Sequence, residues 1–209
     1  MAPILDVAGA QLARMRSMNA AYHQRFFADI RFTMLVSLGL LAAGFALDDR
    51  LFLALPVVAL LGGCQTAFDA SYLIFSRQYA ARLERLIDVE LGRDVLVAHR
   101  LEDAYLFPLD RPKIVTFTLS GFSWFGFMTA LYTLAGVAVY VTGLALSLPV
   151  IASGIGAAAG TAYLVTLGVA TVAALGVGLW WFPGGEGEDR LRRILDDAFG
   201  TDRDAATTA

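Results

Sequence analysis

The sequence is poor in the groups on which soluble enzymes rely. It has one lysine, Lys113, among 16 basic residues, one cysteine, Cys64, and two histidines, His23 and His99. A lone cysteine excludes an intrachain disulfide and leaves dithiol redox chemistry without a second thiol. Charged residues make up 17% of the chain, where soluble domains carry about 25%. The shortage has a shape: from Ile114 to Phe182 there are 69 consecutive residues without Asp, Glu, Lys, Arg or His. A soluble core has no use for such a run, so a soluble enzyme is excluded. No basic run is present and the pI is near 5.3, so nucleic-acid binding finds no support. Also missing are an Asp-rich pair for magnesium pyrophosphate, a phosphate-cradling glycine loop, a nucleophile elbow and a Ser/His or Cys/His constellation. No cofactor is expected. Met1–Gln24 does not show the apolar stretch of a cleavable signal.

What is there is hydrophobic: 57% of residues, with a mean hydropathy of +0.62. A bilayer core is spanned by about 20 helical residues. Uncharged runs at or near that length fall at Phe32–Leu47, Leu51–Phe68 and Ile114–Phe182, the first two parted only by Asp48, Asp49 and Arg50. The third run holds two long helices or three short ones, and arginine placement decides between them. If it crosses twice, every basic residue except Arg50 lies on one side, and the positive-inside rule selects four spans. The turn of the second pair is expected at Ser147-Leu148-Pro149 through Ser153-Gly154.

The expected fold is therefore an all-α polytopic membrane protein, with four transmembrane helices in two hairpins and long cytoplasmic helical extensions. Residues 1–27 form a cytoplasmic amphipathic helix and 28–69 the first hairpin. A cytoplasmic helical segment occupies 70–113, the second hairpin 114–182, and a tail with a short amphipathic helix 183–209. The arginine-rich, Ala- and Gly-rich composition points to a bacterial inner (plasma) membrane, with both termini cytoplasmic.

Local signals fill in this plan. Leu5, Ala8, Leu12, Met15, Asn19, Tyr22, Phe26 and Asp29 recur at helical spacing, predicting a helix continuous with the first span. Its stripe packs on the second cytoplasmic helix of the same chain or, alternatively, forms a self-associating coil. Helical residues run on from the second span to Leu91, where Gly92 is a C-terminal cap. Asp94 is expected to cap a short helix through Leu101 to Phe107, ended by Pro108 and Pro112. Trp180, Trp181 and Phe182 make an interfacial belt, and Leu191, Ile194, Leu195 and Phe199 mark the last short helix.

Candidate functional residues follow from position. Arg31 and Asp69 lie at matching depth in a hairpin that turns at Asp49, and pairing is expected with Asp29 and Gln65 nearby. This group is either a clamp on the hairpin or a site for an ion or polar head group. Asp69, Glu102 and Asp103 are the candidate acid–base groups for an enzyme acting on a lipid or isoprenoid-like substrate, with Arg31 or Arg100 for an anionic head. His99 and Glu102 have the i, i+3 spacing of a weak metal pair, but a solvated polar face is the favoured reading of them. Asp88, Glu90 and Asp94 read as alternating charge on an exposed helix. Ala152, Gly156, Gly160, Ala170, Ala174 and Gly178 form a small-residue stripe for close helix packing. The polar Thr116, Thr118 and Ser120 stand near the start of the third span. Together these features favour a small homo-oligomeric channel or pore-like protein in the lipid bilayer. The alternatives are the interfacial enzyme, and a scaffold recruiting a cytoplasmic protein partner.

Overall fold

In the computed structural model the described residues are 2–106, 123–154 and 156–199. Arg111, Lys113, Thr116, Thr118, Ser120, the prolines at 108 and 112, and the 201–209 tail lie outside them. Among the described residues all regular structure is helical: α1 (Ala2–Ala46), a 3-10 turn (Asp49–Leu53), α2 (Ala54–Leu91), α3 (Ala98–Tyr105), α4 (Trp124–Gly154), α5 (Ala157–Trp181) and α6 (Glu186–Phe199). Four helices are long and apolar enough to cross a membrane, one each at α1, α2, α4 and α5.

The backbone of the molecule is α1 against α2. The sharp reversal between them is built by Asp48, whose Oδ1 accepts from the Arg50 amide at 2.9 Å. From there the helices run antiparallel, and contacts climb one as they descend the other. Gly62 lies on Thr33 so closely that a Cβ would collide with that side chain. Phe26 and Ile30 pack with Ala70, Leu73 and Ile74. Tyr22 stacks on Tyr72 with ring centroids 4.6 Å apart, and Ala8 and Met15 meet Ala80 and Leu83. The N-terminal stripe therefore packs on the second long helix of the same chain, as its spacing predicts. α2 stops where Gly92 takes the left-handed φ of 65°, a conformation open to glycine without steric cost.

α4 leans on the α1–α2 pair near the reversal. Gly143 makes this possible, since a Cβ there would stand 2.6 Å from Leu55 Cβ and 2.9 Å from Pro56 Cδ. The turn of the second helix pair comes later than its breakers indicate. Ser147 and Pro149 are inside α4, and the chain reverses around Gly156, whose φ is 78°. The reason is packing across the chain: Val150, beyond the proline, is buried with Phe52 and Leu55, and the buried Ser147 Oγ donates to the Gly143 carbonyl at 2.7 Å and lies 3.0 Å from the Phe52 carbonyl. α5 returns antiparallel to α4, touching it at Gly160–Ile151 and through the Tyr140–Thr171 hydroxyl pair at 2.7 Å. α6 turns back onto α2 with Leu191 and Leu195 buried and Phe199 against Tyr79.

Candidate functional site

Two polar centres lie along the α1–α2 seam. The upper one is at Asp69, which is 1% exposed. Its Oδ1 is 3.5 Å from Gln65 Nε2, and the Asp29 carboxyl of α1 comes within hydrogen-bonding reach. Its Oδ2 is buried without a hydrogen-bond partner. The expected Arg31–Asp69 pair does not form. Arg31 is exposed and its Nε donates to the Phe27 carbonyl at 3.2 Å, one turn back on its own helix. The reason is helical phase: Phe26 and Ile30 point at α2 and carry Asp29 with them, which turns Arg31 outward. Matching depth is not matching face.

The lower centre is an ionic network beneath that pair. Arg77 of α2 is 1% exposed; its Nε lies 3.2 Å from Glu102 Oε2 and its Nη2 3.0 Å from Asp103 Oδ1. Glu102 and the buried Glu84 also pair with Arg16 of α1. Glu84 Oε2 accepts from the His99 amide at 3.0 Å and lies 2.8 Å from His99 Nδ1. One turn on, Asp88 Oδ1 accepts from the amides of Val95 and Leu96, both at 2.9 Å. These contacts hold α3 and its leading loop along α2.

The local electrostatics follow from these contacts. Burial pushes the Glu84 carboxyl up, but hydrogen bonds from Arg16 and His99 outweigh it and hold the group below its ordinary range. The Leu96 and Val95 amides hold Asp88 low in the same way. Burial lowers the Arg77 guanidinium's pKa, against the pull of Glu102 and Asp103. His23, between the rings of Phe27 and Phe125 at 5.3 and 5.2 Å, is pushed down by burial and then by the Arg77 charge.

This network corrects the reading of His99, Glu102 and Asp88 as a solvated face, while Glu90 and Asp94 are exposed as expected. Glu102, Asp103 and His99 face inward, and Asp88 is buried. Glu102 serves Arg16 and Arg77 while His99 serves Glu84, so the i, i+3 pair does not converge on one point. Asp94 caps nothing: Val97 stands at the N-cap of α3, and Asp94 pairs with Arg100 at 2.6 Å. The signal for the network lay in phase. Arg77, Glu84 and Asp88 fall on the same α2 face as Asp69, Leu73 and Ala80. With His99, Glu102 and Asp103 turned in, Leu101 and Tyr105 of α3 and Val97 at its N-cap are left outward, at exposures from 42 to 76%.

A groove of about 560 Å³ runs between α2, α5 and the start of α6. Cys64, Phe68, Tyr72, Ala174, Trp181 and Leu191 are among its lining, with Glu188 at its edge. Asp69, Glu102 and Asp103 do not line it. Of the small-residue stripe, Gly160 is buried against Ile151, Ala174 and Gly178 border the groove, and Ala152, Gly156 and Ala170 are exposed. Of the glycines in the stripe Gly160 alone makes a close approach among the described residues, and Gly44, Gly62 and Gly143 make others outside it. Compared with known protein families, curated proteins and solved structures, the chain matches none of them.

Proposed function

We propose that this chain is a four-span membrane protein that assembles with copies of itself into a channel-like complex. In this reading the α1–α2 and α4–α5 pairs are transmembrane hairpins in a bacterial inner membrane. Both termini are cytoplasmic, because the arginines gather on that side. The supporting observation is the bareness of α5. Only 6% of its most apolar stretch is covered by the rest of the chain, against 17 to 22% for the other three. The bare helix carries Gly168 and Gly176, around which a Cβ would meet nothing within 4 Å, and the exposed Ala170. Small residues gain little against lipid and gain van der Waals contact against a second helix. The continuous α1 and α2 then link the membrane part to the ionic network below it.

The decisive experiment measures oligomeric state in nanodiscs together with ion flux from liposomes. A defined oligomer that passes ions supports the proposal, and Ala170→Leu should then reduce both. A monomer silent in every lipid tested overturns it. Orientation is read by single cysteines at Arg50 and Arg190 in a Cys64→Ser background, labelled from opposite sides in intact cells.

The outward stripe Val97, Leu101 and Tyr105 favours a second reading, a scaffold for a cytoplasmic partner helix. A photo-crosslinker at Leu101 distinguishes them, since an adduct of twice the chain mass means self-assembly and a heterologous adduct means recruitment. The interfacial enzyme is less well supported, because its candidate carboxyls are either engaged by arginines or turned toward Asp29, away from the groove.

A further inference from the structure

We propose that Asp29 and Asp69 form a cation site that holds one positive charge, a proton or a monovalent metal ion, between their carboxyls. The proposal concerns a single chain and does not depend on the assembly described above.

Asp69 is 99% covered, and its Oδ2 finds no donor. A buried polar atom without a partner is rare, and a bound ion or proton is one way to complete it. The side chain that α1 brings to Asp69 is a second acceptor, the Asp29 carboxyl. Two carboxylates at hydrogen-bonding distance repel unless something positive lies between them. Among the described residues the surrounding charges do not supply it by contact. On α1, Arg25 reaches Asp69 through its charge alone, with its guanidinium 5.6 Å from the Tyr22 ring, while Arg31 is turned away. On α2, Gln65 is neutral and its contact with Oδ1 is long, at 3.5 Å. α4, which packs nearby through Phe125, contains no charged residue.

The donor set suits either form of positive charge. A proton on one carboxyl would donate to the other and satisfy the buried oxygen. A hard monovalent ion would take oxygens from both, with the Gln65 amide oxygen available if that group is flipped. The site lies roughly 30 Å of helix from the reversal at Asp48, about one hydrocarbon thickness. That is the cytoplasmic edge in the proposed topology, where protons and ions are at hand.

The test uses the full chain in phosphatidylcholine nanodiscs, with melting followed by tryptophan fluorescence. One arm varies pH from 6.5 to 9 in choline chloride; the other adds sodium or potassium chloride at pH 9 and constant ionic strength. The wild type should melt about 3 °C or more lower at pH 9 in choline than at pH 6.5. Recovery on acidification alone identifies a proton, and recovery with sodium or potassium identifies a metal ion. Asp69→Asn supplies its own amide donor and removes one charge, so its response should be lost; Asp29→Asn serves if that variant does not fold. A wild type indifferent to all three, or variants that respond as it does, overturns the site.

Discussion

Glu84 takes His99 by two handles, the backbone amide at 3.0 Å and the ring Nδ1 at 2.8 Å. Fifteen residues apart in sequence, these two fix where α3 begins along α2. The same carboxylate faces Arg16 of α1, so one side chain on α2 reaches both neighbouring elements.

Glu84→Ala should therefore detach α3 while leaving the apolar spans intact. Removing one member of a buried, hydrogen-bonded ion network leaves the others without compensation, at a cost of about 3–5 kcal/mol. Hydrogen exchange is the direct measurement. The His99 amide should lose protection first, and those of Val95 and Leu96 should follow only as the loop leaves Asp88. Asp88→Ala should give the reverse order. Unchanged exchange at His99 in Glu84→Ala would mean that apolar contacts alone hold α3.

Acid should loosen this layer in two stages. His23 is held below its ordinary value by burial and by Arg77, so the fold favours its neutral form. That stability is complete above the unfolded value near 6.5 and is lost as pH falls through the depressed folded value. Glu84 and Asp88 are held low as carboxylates, so their contribution is present above about 4.5 and fades as pH falls further. Near-ultraviolet circular dichroism across pH 7 to 3 should show both steps. In His23→Phe, which keeps the aromatic contacts to Phe27 and Phe125, the upper step should vanish and the lower remain.

How much of this was open to sequence reading depends on whether neighbours or distant residues decide each feature. Helix number and the continuity of α1 follow from local charge and periodicity, and Gly92 ends α2 for a reason contained in its own backbone. The Arg31–Asp69 pair failed because depth along a helix is set by residue count, whereas facing is set by which stripe the partner covers. The inward charges of α3 were hidden because Arg77 and Arg16, far away in sequence, are what make that face the buried one. The late turn goes with packing of Val150 on Phe52 and Leu55, and with Ser147 reaching the Phe52 carbonyl 95 residues away, which no local signal carries.

Glycines on the long apolar helices divide into two groups with opposite expected behaviour. Gly143→Val should push α4 off Leu55 and Pro56, at about 1–3 kcal/mol for overpacking. Gly136→Ala, with open space around its Cβ position, should leave melting unchanged or raise it slightly through helix propensity. Melting of both variants in one detergent checks the contrast, and equal losses would show that α4 does not sit where Gly143 touches Leu55.

The docking of α6 rests on apolar contact more than on its charges. Arg82 and Asp196 approach to 2.5 Å, but their side chains are 27% and 41% exposed. Partly solvated pairs contribute about 1 kcal/mol or less. Leu195 is 5% exposed, and Phe199 lies on Tyr79 with ring centroids 6.0 Å apart. Replacing a buried leucine with alanine costs about 2–5 kcal/mol, so Leu195→Ala should free α6 where Asp196→Asn does not. Limited proteolysis after Arg190, Arg192 and Arg193 reads the difference directly. Cleavage should quicken by tenfold or more in Leu195→Ala and by no more than about fivefold in Asp196→Asn, the ratio that 1 kcal/mol corresponds to. The reverse ranking would make the Arg82 ion pair, with its charge drawn from α2, the true fastening of the C-terminal helix.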